Sequence, residues 1–201
     1  MAKTVKQALQ DKKMQLGLDV VIRKAEKRDV AALAQWMQEE DYQFLLSGPK
    51  MPTLKETKDR LMEQISLNTL VTPSRLILIA ETSQGQAIGF IALARIDWRS
   101  RTCALEAYFA EKYRETPFPM AAGVKVFSFV FQELNMQKVY AFVQGFNKQS
   151  LALHEKYGAK PEAVLKNYIK KDGKYYDMYI FPTFRDITGF KDLPPGLRAT
   201  A

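Results

Sequence analysis

Hydrophobic residues along the chain repeat with two different spacings, and the change between them marks the predicted elements. Runs rich in β-branched and aromatic residues indicate strands. These runs fall at residues 19–24, twice within 75–97, at 102–110, at 138–144 and twice within 163–181. Short polar turns at 83–86 and 172–173 separate the two paired runs, so both pairs are predicted to form hairpins.

The remaining segments carry apolar residues at the helical spacing of about 3.6 residues. Asp29 is the predicted N-cap of a helix over residues 30–40, and Thr53 with Glu56 forms a capping-box pattern that opens a second helix. The segment between these helices, at 41–52, shows no repeat and is predicted to be a loop. Two more helices are predicted over residues 119–134 and 147–159.

This order of elements predicts an α+β fold, in which helices flank a mixed, mostly antiparallel sheet of about six to seven strands. A helix connects strand 102–110 to strand 138–144, so these two are the expected parallel pair, and their shared ends are where a ligand could enter the sheet. We expect one domain over residues 19–187, preceded by a helical arm at 1–18 and followed by a tail at 188–201.

Composition narrows the function classes. With 201 residues, 47% of them apolar, the chain can bury one core, and it has no apolar run long enough to cross a bilayer. The first residues lack the apolar segment of a secretory signal, so we expect a cytoplasmic protein without membrane contacts. One cysteine and one histidine are too few for a His/Cys metal cage, and no metal is expected.

The net charge of +8 predicts attraction to anions, which include nucleic acid, a membrane surface, a ribosome and a phosphorylated ligand. The basic residues are interleaved with strand and turn residues, so we expect solvated surface and no nucleic-acid partner. The Lys- and Tyr-rich segment 167–179 keeps RNA or ribosome binding as an alternative, which steep salt dependence would reveal. Exposed strand edges also make a homodimer an open expectation.

Two segments of the chain resemble the GNAT N-acyltransferase superfamily. The sequence FNKQSLALHEKYGAKPEAVLKNYIKKDGKYYDMYIF, at 146–181, is similar without gaps to a helix of that family and the hairpin after it. The segment LEAYFAEKYR, at 105–114, resembles the strand beside the pantetheine arm of acetyl-CoA. The resemblance covers about residues 20–187 and is closest to the branch that acetylates ribosomal-protein N-termini and amino sugars.

The resemblance implies that residues 19–187 form a GNAT-like domain with acetyl-CoA as co-substrate. Such a domain transfers the acetyl group to a primary amine, on a protein N-terminus, an amino sugar or a small molecule. The amine attacks the thioester directly, through a tetrahedral intermediate. The expected partners are therefore acetyl-CoA and an amine acceptor.

The family's donor loop is altered in this chain. Its pattern, Gln or Arg, two residues, Gly, one residue, and Gly or Ala, holds the CoA pyrophosphate on backbone amides. Arg114 matches the first position, but Pro117 and Pro119 replace both glycines. Proline has no N–H and cannot adopt a positive φ. Losing two charge-assisted hydrogen bonds of about 1.5–3 kcal/mol each would weaken binding by about two to four orders of magnitude without compensation.

A helix that begins with Pro119 at its first position is one form of compensation, because the next four amides would lack helical partners. Those amides belong to Met120, Ala121, Ala122 and Gly123. Three hypotheses remain open. The chain has a working CoA site of altered geometry, or it takes a different donor such as an acyl group on a carrier protein, or it is a non-catalytic binding protein that kept the fold.

Two residues are candidates for proton transfer, since amine acylation needs a base for the ammonium proton and an acid for the departing thiolate. Glu106, the one acidic residue of strand 102–110, is the predicted base, and an ion pair with a nearby Lys or Arg is the alternative. The resemblance aligns His154 with a family tyrosine near the thioester sulfur, which makes His154 the predicted acid. Packing without a catalytic role is the alternative.

The resemblance also implies which residues contact acetyl-CoA. Asn147 matches the asparagine that holds the pantetheine arm, although it is equally a good N-cap. The full expected set lies in the central strand, in the loop after it and at two helix starts: Tyr108, Phe109, Ala110, Arg114, Met120, Ala121, Ala122, Gly123, Asn147 and Ser150. Cys103 is predicted to be a small buried apolar group instead.

Overall fold

The structure is a computed structural model that describes residues 20–45, 52–67, 72–156 and 158–185. The predicted arm at 1–18 and the predicted tail at 188–201 lie outside these residues. The domain boundaries themselves stay a prediction.

Seven strands of the described chain form one sheet, in the order β1-β2-β3-β4-β5-β7-β6. The strands are β1 Val20–Lys24, β2 Leu76–Thr82, β3 Ala87–Asp97, β4 Thr102–Phe109, β5 Lys138–Gln144, β6 Ala163–Lys171 and β7 Lys174–Phe184. Every neighbouring pair is antiparallel except β4 and β5. The predicted fold class, both hairpins and the parallel pair are therefore confirmed.

The helices lie on both faces of the sheet. They are α1 Val30–Trp36, α2 Glu40–Leu45, α3 Leu54–Leu67, α4 Glu111–Arg114, α5 Phe118–Ser128 and α6 Lys148–Lys156. A short 3-10 turn precedes α1, and α5 continues through a wider π-helical turn at Phe129–Glu133. The predicted loop at 41–52 is wrong at its start, where α2 forms and sets Tyr42 edge-on against Tyr108.

The sheet separates two apolar cores. On one face, Ala122 and Val126 of α5 pack on the sheet. On the other, Leu33 of α1 and Leu61 of α3 pack against Ile77 and its neighbours. We call these the α5 face and the α1 face. Because side chains alternate along a strand and both faces are covered here, β2 and β3 are almost continuously apolar in sequence.

The predicted capping box is confirmed at the start of α3. The Glu56 amide donates to the Thr53 hydroxyl over 3.2 Å, and the Thr53 amide donates to the Glu56 carboxylate over 2.7 Å. This reciprocal pair satisfies amides that the helix itself leaves without partners.

Asp29 lies at the N-cap position of α1, as predicted, but its side chain makes no capping hydrogen bond to that helix. Its carboxylate accepts two hydrogen bonds from the Arg23 guanidinium, at 2.7 and 2.8 Å, and one from the Glu26 amide at 2.8 Å. Burial alone would raise the pKa of Asp29, but these hydrogen bonds and the Arg23 charge hold it below its ordinary value. A buried carboxylate is retained here because a guanidinium pairs with it, and the pair joins β1 to the turn before α1.

Candidate active site

Strands β4 and β5 separate after three residue pairs. Residues 102–104 of β4 pair with 138–140 of β5, and the rest of β4, residues 105–109, has no pairing on that side. Strand β5 continues to Gln144 while paired with β7. The two parallel strands therefore enclose a wedge that opens at their carboxyl ends. Backbone groups along the open edge of β4 can pair with an extended ligand.

Glu106 lies on the α1 face of β4, next to Arg75. The Arg75 Nη2 donates to Glu106 Oε2 over 2.7 Å, so the ion pair that was the alternative for Glu106 is present. The pair is half-exposed, since 30% of the Arg75 side chain and 53% of the Glu106 side chain reach solvent. The Arg75 Nε is buried and has no hydrogen-bond partner in the described part of the chain.

Tyr42 of α2 shares this electrostatic neighbourhood. Burial raises the pKa of the Tyr42 hydroxyl, the charge of Glu106 raises it further, and Arg75 opposes them. The Tyr42 phenol therefore stays protonated at neutral pH. It is a hydrogen-bond donor on the α1 face, within the electrostatic influence of the Glu106 carboxylate.

Tyr108, two residues further along β4, points to the same face and is buried. Its hydroxyl donates to Glu39 Oε2 over 2.6 Å and accepts a hydrogen bond from Arg114 Nη2 over 2.7 Å. Arg114 also donates from Nε to the Phe109 carbonyl over 2.8 Å, and its guanidinium lies 4.9 Å from the Tyr108 ring centroid. These contacts tie the end of β4 to the residue just before α2.

Arg114 is thus engaged with protein groups, while its predicted role as a pyrophosphate ligand stays untested. The neighbouring backbone is engaged as well. The Ala110 amide donates to the Ile88 carbonyl over 3.0 Å, and the Phe109 side chain packs in the α5-face core. Most of the predicted contact groups at the end of β4 thus already bond to or pack against the protein. The backbone edge of β4 that faces the wedge remains available to a ligand.

The start of α5 differs from the prediction. The helix begins at Phe118, so Pro117 is the N-cap and Pro119 is the second helical residue rather than the first. The Phe118 amide donates to the Thr116 hydroxyl over 3.3 Å, and the Ala121 amide donates to the Pro117 carbonyl over 3.1 Å.

A helix N-terminus normally offers four amides without helical partners. Here two of those four positions are proline and a third amide bonds to Thr116, which leaves the Met120 amide. No hydrogen bond from Met120 is found within the described residues. The expected row of four open amides at 120–123 is therefore wrong for Ala121, whose amide is used, and for Ala122 and Gly123, which lie beyond the first turn of the helix. Contact of any of these residues with CoA stays a prediction.

Helix α6 carries the predicted residues Asn147, Ser150 and His154. The Ser150 amide donates to Asn147 Oδ1 over 3.1 Å, so Asn147 is an N-cap, as its alternative interpretation proposed. The His154 ring stacks on Phe181 of β7 with centroids 4.1 Å apart. Its Nδ1 lies 2.8 Å from the Ser150 carbonyl oxygen. Because a carbonyl only accepts, Nδ1 carries a proton in this contact, and Nε2 can donate a proton only from the imidazolium form.

Cys103 is buried at the start of β4, as predicted, and burial raises the pKa of its thiol to about 11. A thiol in this state is a packing group rather than a nucleophile. Across residues 20–45, 52–67, 72–156 and 158–185, no three His, Cys, Asp or Glu side chains are grouped closely enough to hold a metal ion. Among the same residues, no helix has the length and apolar character to cross a membrane.

The sequence analysis missed three side chains near β4: Glu39, Arg75 and Arg95. Glu39 and Arg75 contact β4 residues 69 and 31 positions away, and no local pattern marks such pairs. Arg95 lies in a bulge of β3 with a φ of 50°, and its guanidinium lies 4.9 Å from the Phe142 ring centroid. The sequence signal that could have identified Arg95 is the extra residue in one strand of the hairpin, which predicts a bulge.

Comparisons with known proteins agree with this geometry. The family described as "Acetyltransferase (GNAT) domain" matches residues 19–160. The prophage-derived, uncharacterized N-acetyltransferase YokL of Bacillus subtilis is 34% identical over 108 residues, which span 54% of this chain and 61% of YokL. YwnH of Bacillus subtilis, provisionally named a phosphinothricin acetyltransferase, is 27% identical over 171 residues, covering 80% of this chain and 96% of YwnH.

A solved structure has the same fold. The spermidine N-acetyltransferase of Vibrio cholerae, in complex with CoA and spermine, superposes with a TM-score of 0.71 at 18% identity and covers 83% of this chain and 96% of that one. The chain belongs to the GNAT acetyltransferase family, which makes it an enzyme of the N-acetyltransferase class.

Proposed function

We propose that the chain transfers an acetyl group from acetyl-CoA to a primary amine by direct attack, with Glu106 as base and His154 as acid. The observation that carries the proposal is the arrangement around the wedge. Glu106 projects from β4 on the α1 face. His154 of α6 stacks on Phe181 of β7, and Phe181 lies on the α5 face of the sheet. Donor and acceptor would then reach the open edge of β4 from opposite faces.

Glu106 would take the proton of the acceptor ammonium. Its Oε2 accepts from Arg75, whereas no partner for Oε1 is found among the described residues. A carboxylate held by one oxygen keeps its orientation and leaves the other oxygen for a substrate or a water molecule. The free amine then forms a bond to the thioester carbonyl carbon.

His154 would return a proton as the carbon–sulfur bond breaks. Its Nδ1 is fixed on the Ser150 carbonyl, so the proton leaves from Nε2 of the imidazolium and goes to the thiolate sulfur. Stacking on Phe181 restricts the ring to this orientation. The two proton transfers balance, because one proton leaves the amine and one reaches the sulfur.

The donor would lie along residues 105–109, where the strand edge can pair with the amides of a pantetheine arm. At the start of α5 the fit is poorer, since the Met120 amide is the one open first-turn donor in the described chain. Binding is therefore expected to depend more on the pantetheine arm than on the pyrophosphate.

The proposal is tested by measuring thiol release from acetyl-CoA with a panel of amines and N-terminal peptides, together with calorimetric titration of CoA. Glu106→Gln should abolish most turnover without loss of CoA binding, whereas Glu63→Gln, an exposed carboxylate on α3, should leave turnover unchanged. Absence of CoA binding at millimolar concentration, or full activity in Glu106→Gln, would exclude this mechanism.

A second candidate is acyl transfer from a carrier protein, whose pantetheine arm carries no adenosine diphosphate. The few open amides at α5 favour it. The discriminating measurement compares acetyl-CoA with S-acetylpantetheine. If the pyrophosphate contributes little, the two donors have similar kcat/KM, and acetylated carrier protein is the better donor. A preference for acetyl-CoA of 100-fold or more would remove this candidate.

A further inference from the structure

The structure points to a specificity site on the α1 face, built by Arg95 and Phe142. We infer that it receives an oxyanion, a carboxylate or a phosphonate, which the acceptor carries in addition to its amine. The inference rests on the proposed function, because it concerns the acceptor of that reaction.

Arg95 owes its position to a β-bulge. The pairing of β3 with β4 shifts by one residue between Ala94 and Asp97, and Arg95 has a φ of 50°. The left-handed region is unfavourable for a residue other than glycine, because the Cβ atom crowds the following carbonyl oxygen. Bulges next to active sites redirect side chains, and strain of this kind is kept where it has a use.

The strand register shows in which direction the Arg95 side chain extends. Tyr108 and Glu106 share the α1 face of β4 with Ala104, two residues back along the strand. On β5, Val139 belongs to the α5-face core, so the alternating Phe142 faces the α1 side. Arg95 lies on β3, and Phe142 lies two strands away on β5. The guanidinium therefore crosses β4, and it does so beside Ala104, whose small side chain leaves room.

This route brings Arg95 close to Glu106. Ala94 pairs with Ala104, and Ala92 pairs with Glu106, so the bulge starts two residues along β3 from the partner of the predicted base. Two residues of a strand span about 7 Å. An acceptor of a few bonds could thus present its amine to Glu106 and an anionic group to Arg95.

The charges on this face are unequal. Arg75 is paired with Glu106, and Arg114 with Glu39. Arg95 is exposed, and its guanidinium has neither a hydrogen bond nor an ion pair to any described residue. The guanidinium carbon lies 4.9 Å from the Phe142 ring centroid, a distance at which the cation is attracted to the ring. A guanidinium held in this way can bind an oxyanion through two hydrogen bonds.

A cation with no ion-pair partner among the described residues disfavours one class of acceptor. A polyamine carries a second positive charge, which Arg95 would repel, whereas an amino acid or an aminophosphonate carries a matching negative charge. The acceptor of this chain is therefore an amine with an oxyanion, unlike the spermine bound to the Vibrio cholerae protein.

The test uses matched acceptors with the full chain and acetyl-CoA. The ω-amino acids from glycine to 6-aminohexanoate are compared with the alkylamines of the same length, 2-aminoethylphosphonate with ethylamine, and spermidine is included. The wild type should prefer an anionic acceptor by about 10- to 100-fold in kcat/KM, since one charge-assisted pair is at stake. The amino acids and the phosphonate distinguish the two kinds of oxyanion.

Arg95→Asn is the informative variant, because asparagine tolerates a positive φ and the fold should be at least as stable. It should raise KM for the anionic acceptor by about 10- to 100-fold with little change in kcat. It should leave the matched alkylamine unchanged or improve it. Arg95→Lys should recover part of the loss, and Arg99→Gln, an exposed arginine in the next turn, should change nothing.

The outcomes separate two failures. If no amine is acetylated at all, the proposed function fails. If alkylamines or spermidine are acetylated as efficiently as their anionic counterparts, or if Arg95→Asn changes kcat/KM to the same extent for every acceptor, the acetyltransferase stands and the oxyanion site is wrong.

Discussion

The two faces of strand β4 differ sharply in their chemistry. The α1 face carries Glu106 and Tyr108, each held by a charged hydrogen bond to a residue far away in sequence. The α5 face carries Cys103, Leu105 and Phe109, which pack on an apolar core. At the helix start on that second face, proline occupies two of the positions that usually present amides.

Under the proposed function, this difference divides the work of the site. The charged groups on the α1 face would discriminate between acceptors. The α5 face has few hydrogen-bond donors for an anion, so it would favour an acyl donor held by its extended arm. A substitution on one face should leave the contribution of the other face unchanged.

Glu106→Gln should have the largest effect, a loss of about 10²- to 10⁴-fold in kcat/KM, the usual contribution of a general base. The side chain keeps its shape but can no longer accept the proton. KM for acetyl-CoA should stay within a factor of two or so, since the donor lies on the other face. Steady-state kinetics with both substrates varied measures this, and a large rise in donor KM would show that the two faces are not separate.

Replacing Pro117 and Pro119 together by glycine should change the donor face. Two amides are restored at the start of α5, and KM for acetyl-CoA should fall by about 10- to 100-fold, the contribution of charge-assisted hydrogen bonds. KM for S-acetylpantetheine should not change. Pro161→Gly, at an exposed loop proline, is the matched control. Equal effects on both donors would mean that the glycines altered the strand edge instead.

Arg114→Gln should lower kcat/KM by about 10-fold, because the Tyr108 hydroxyl and the Phe109 carbonyl lose their donor. As a positioning residue, Arg114 should affect acetyl-CoA and S-acetylpantetheine equally. If Arg114 instead binds the pyrophosphate, only the acetyl-CoA reaction suffers. The ratio of the two kcat/KM values decides between these roles.

Asp29→Asn should leave catalysis unchanged and lower stability by about 1–3 kcal/mol, the value of a hydrogen bond to a charged group. The folded protein holds the pKa of Asp29 below its ordinary value, so folding releases a proton at acid pH. This stabilisation is present above about pH 3.9 and is lost as pH falls through the lower folded-state pKa. The difference in thermal stability between the two proteins should therefore be constant at neutral pH and narrow as the pH falls below about 3.9.

Much of the fold is predictable from local pattern. The strand runs alternate or are wholly apolar because the sheet buries both faces, and the capping box at Thr53 marks α3 because it satisfies local amides. For Asp29, the local pattern predicts the wrong role for the side chain. An aspartate before an apolar repeat is a typical N-cap, but Arg23, six residues earlier and on another element, competes successfully for its carboxylate.

The candidate site is less predictable than the fold. The sequence predicts that Glu106 lies on the central strand. Its pairing with Arg75 depends on the register between strands, which the sequence does not reveal. The start of α5 differs from the prediction by one residue, since the helix begins at Phe118 and not at Pro119. This difference changes which backbone amides are left without helical partners. The role of Arg95 arises from one inserted residue, which shifts a side chain from one face to the other.

The short pairing of β4 with β5 also governs how the sheet holds together. Three residue pairs join strands β1–β4 to strands β5–β7, so the sheet is made of two halves with a narrow seam. A donor bound in the wedge, as proposed, would replace the missing strand pairing and join the two halves of the sheet. Amide exchange along 105–109 should slow when donor binds, which makes those backbone protons a reporter of occupancy before any chemistry takes place.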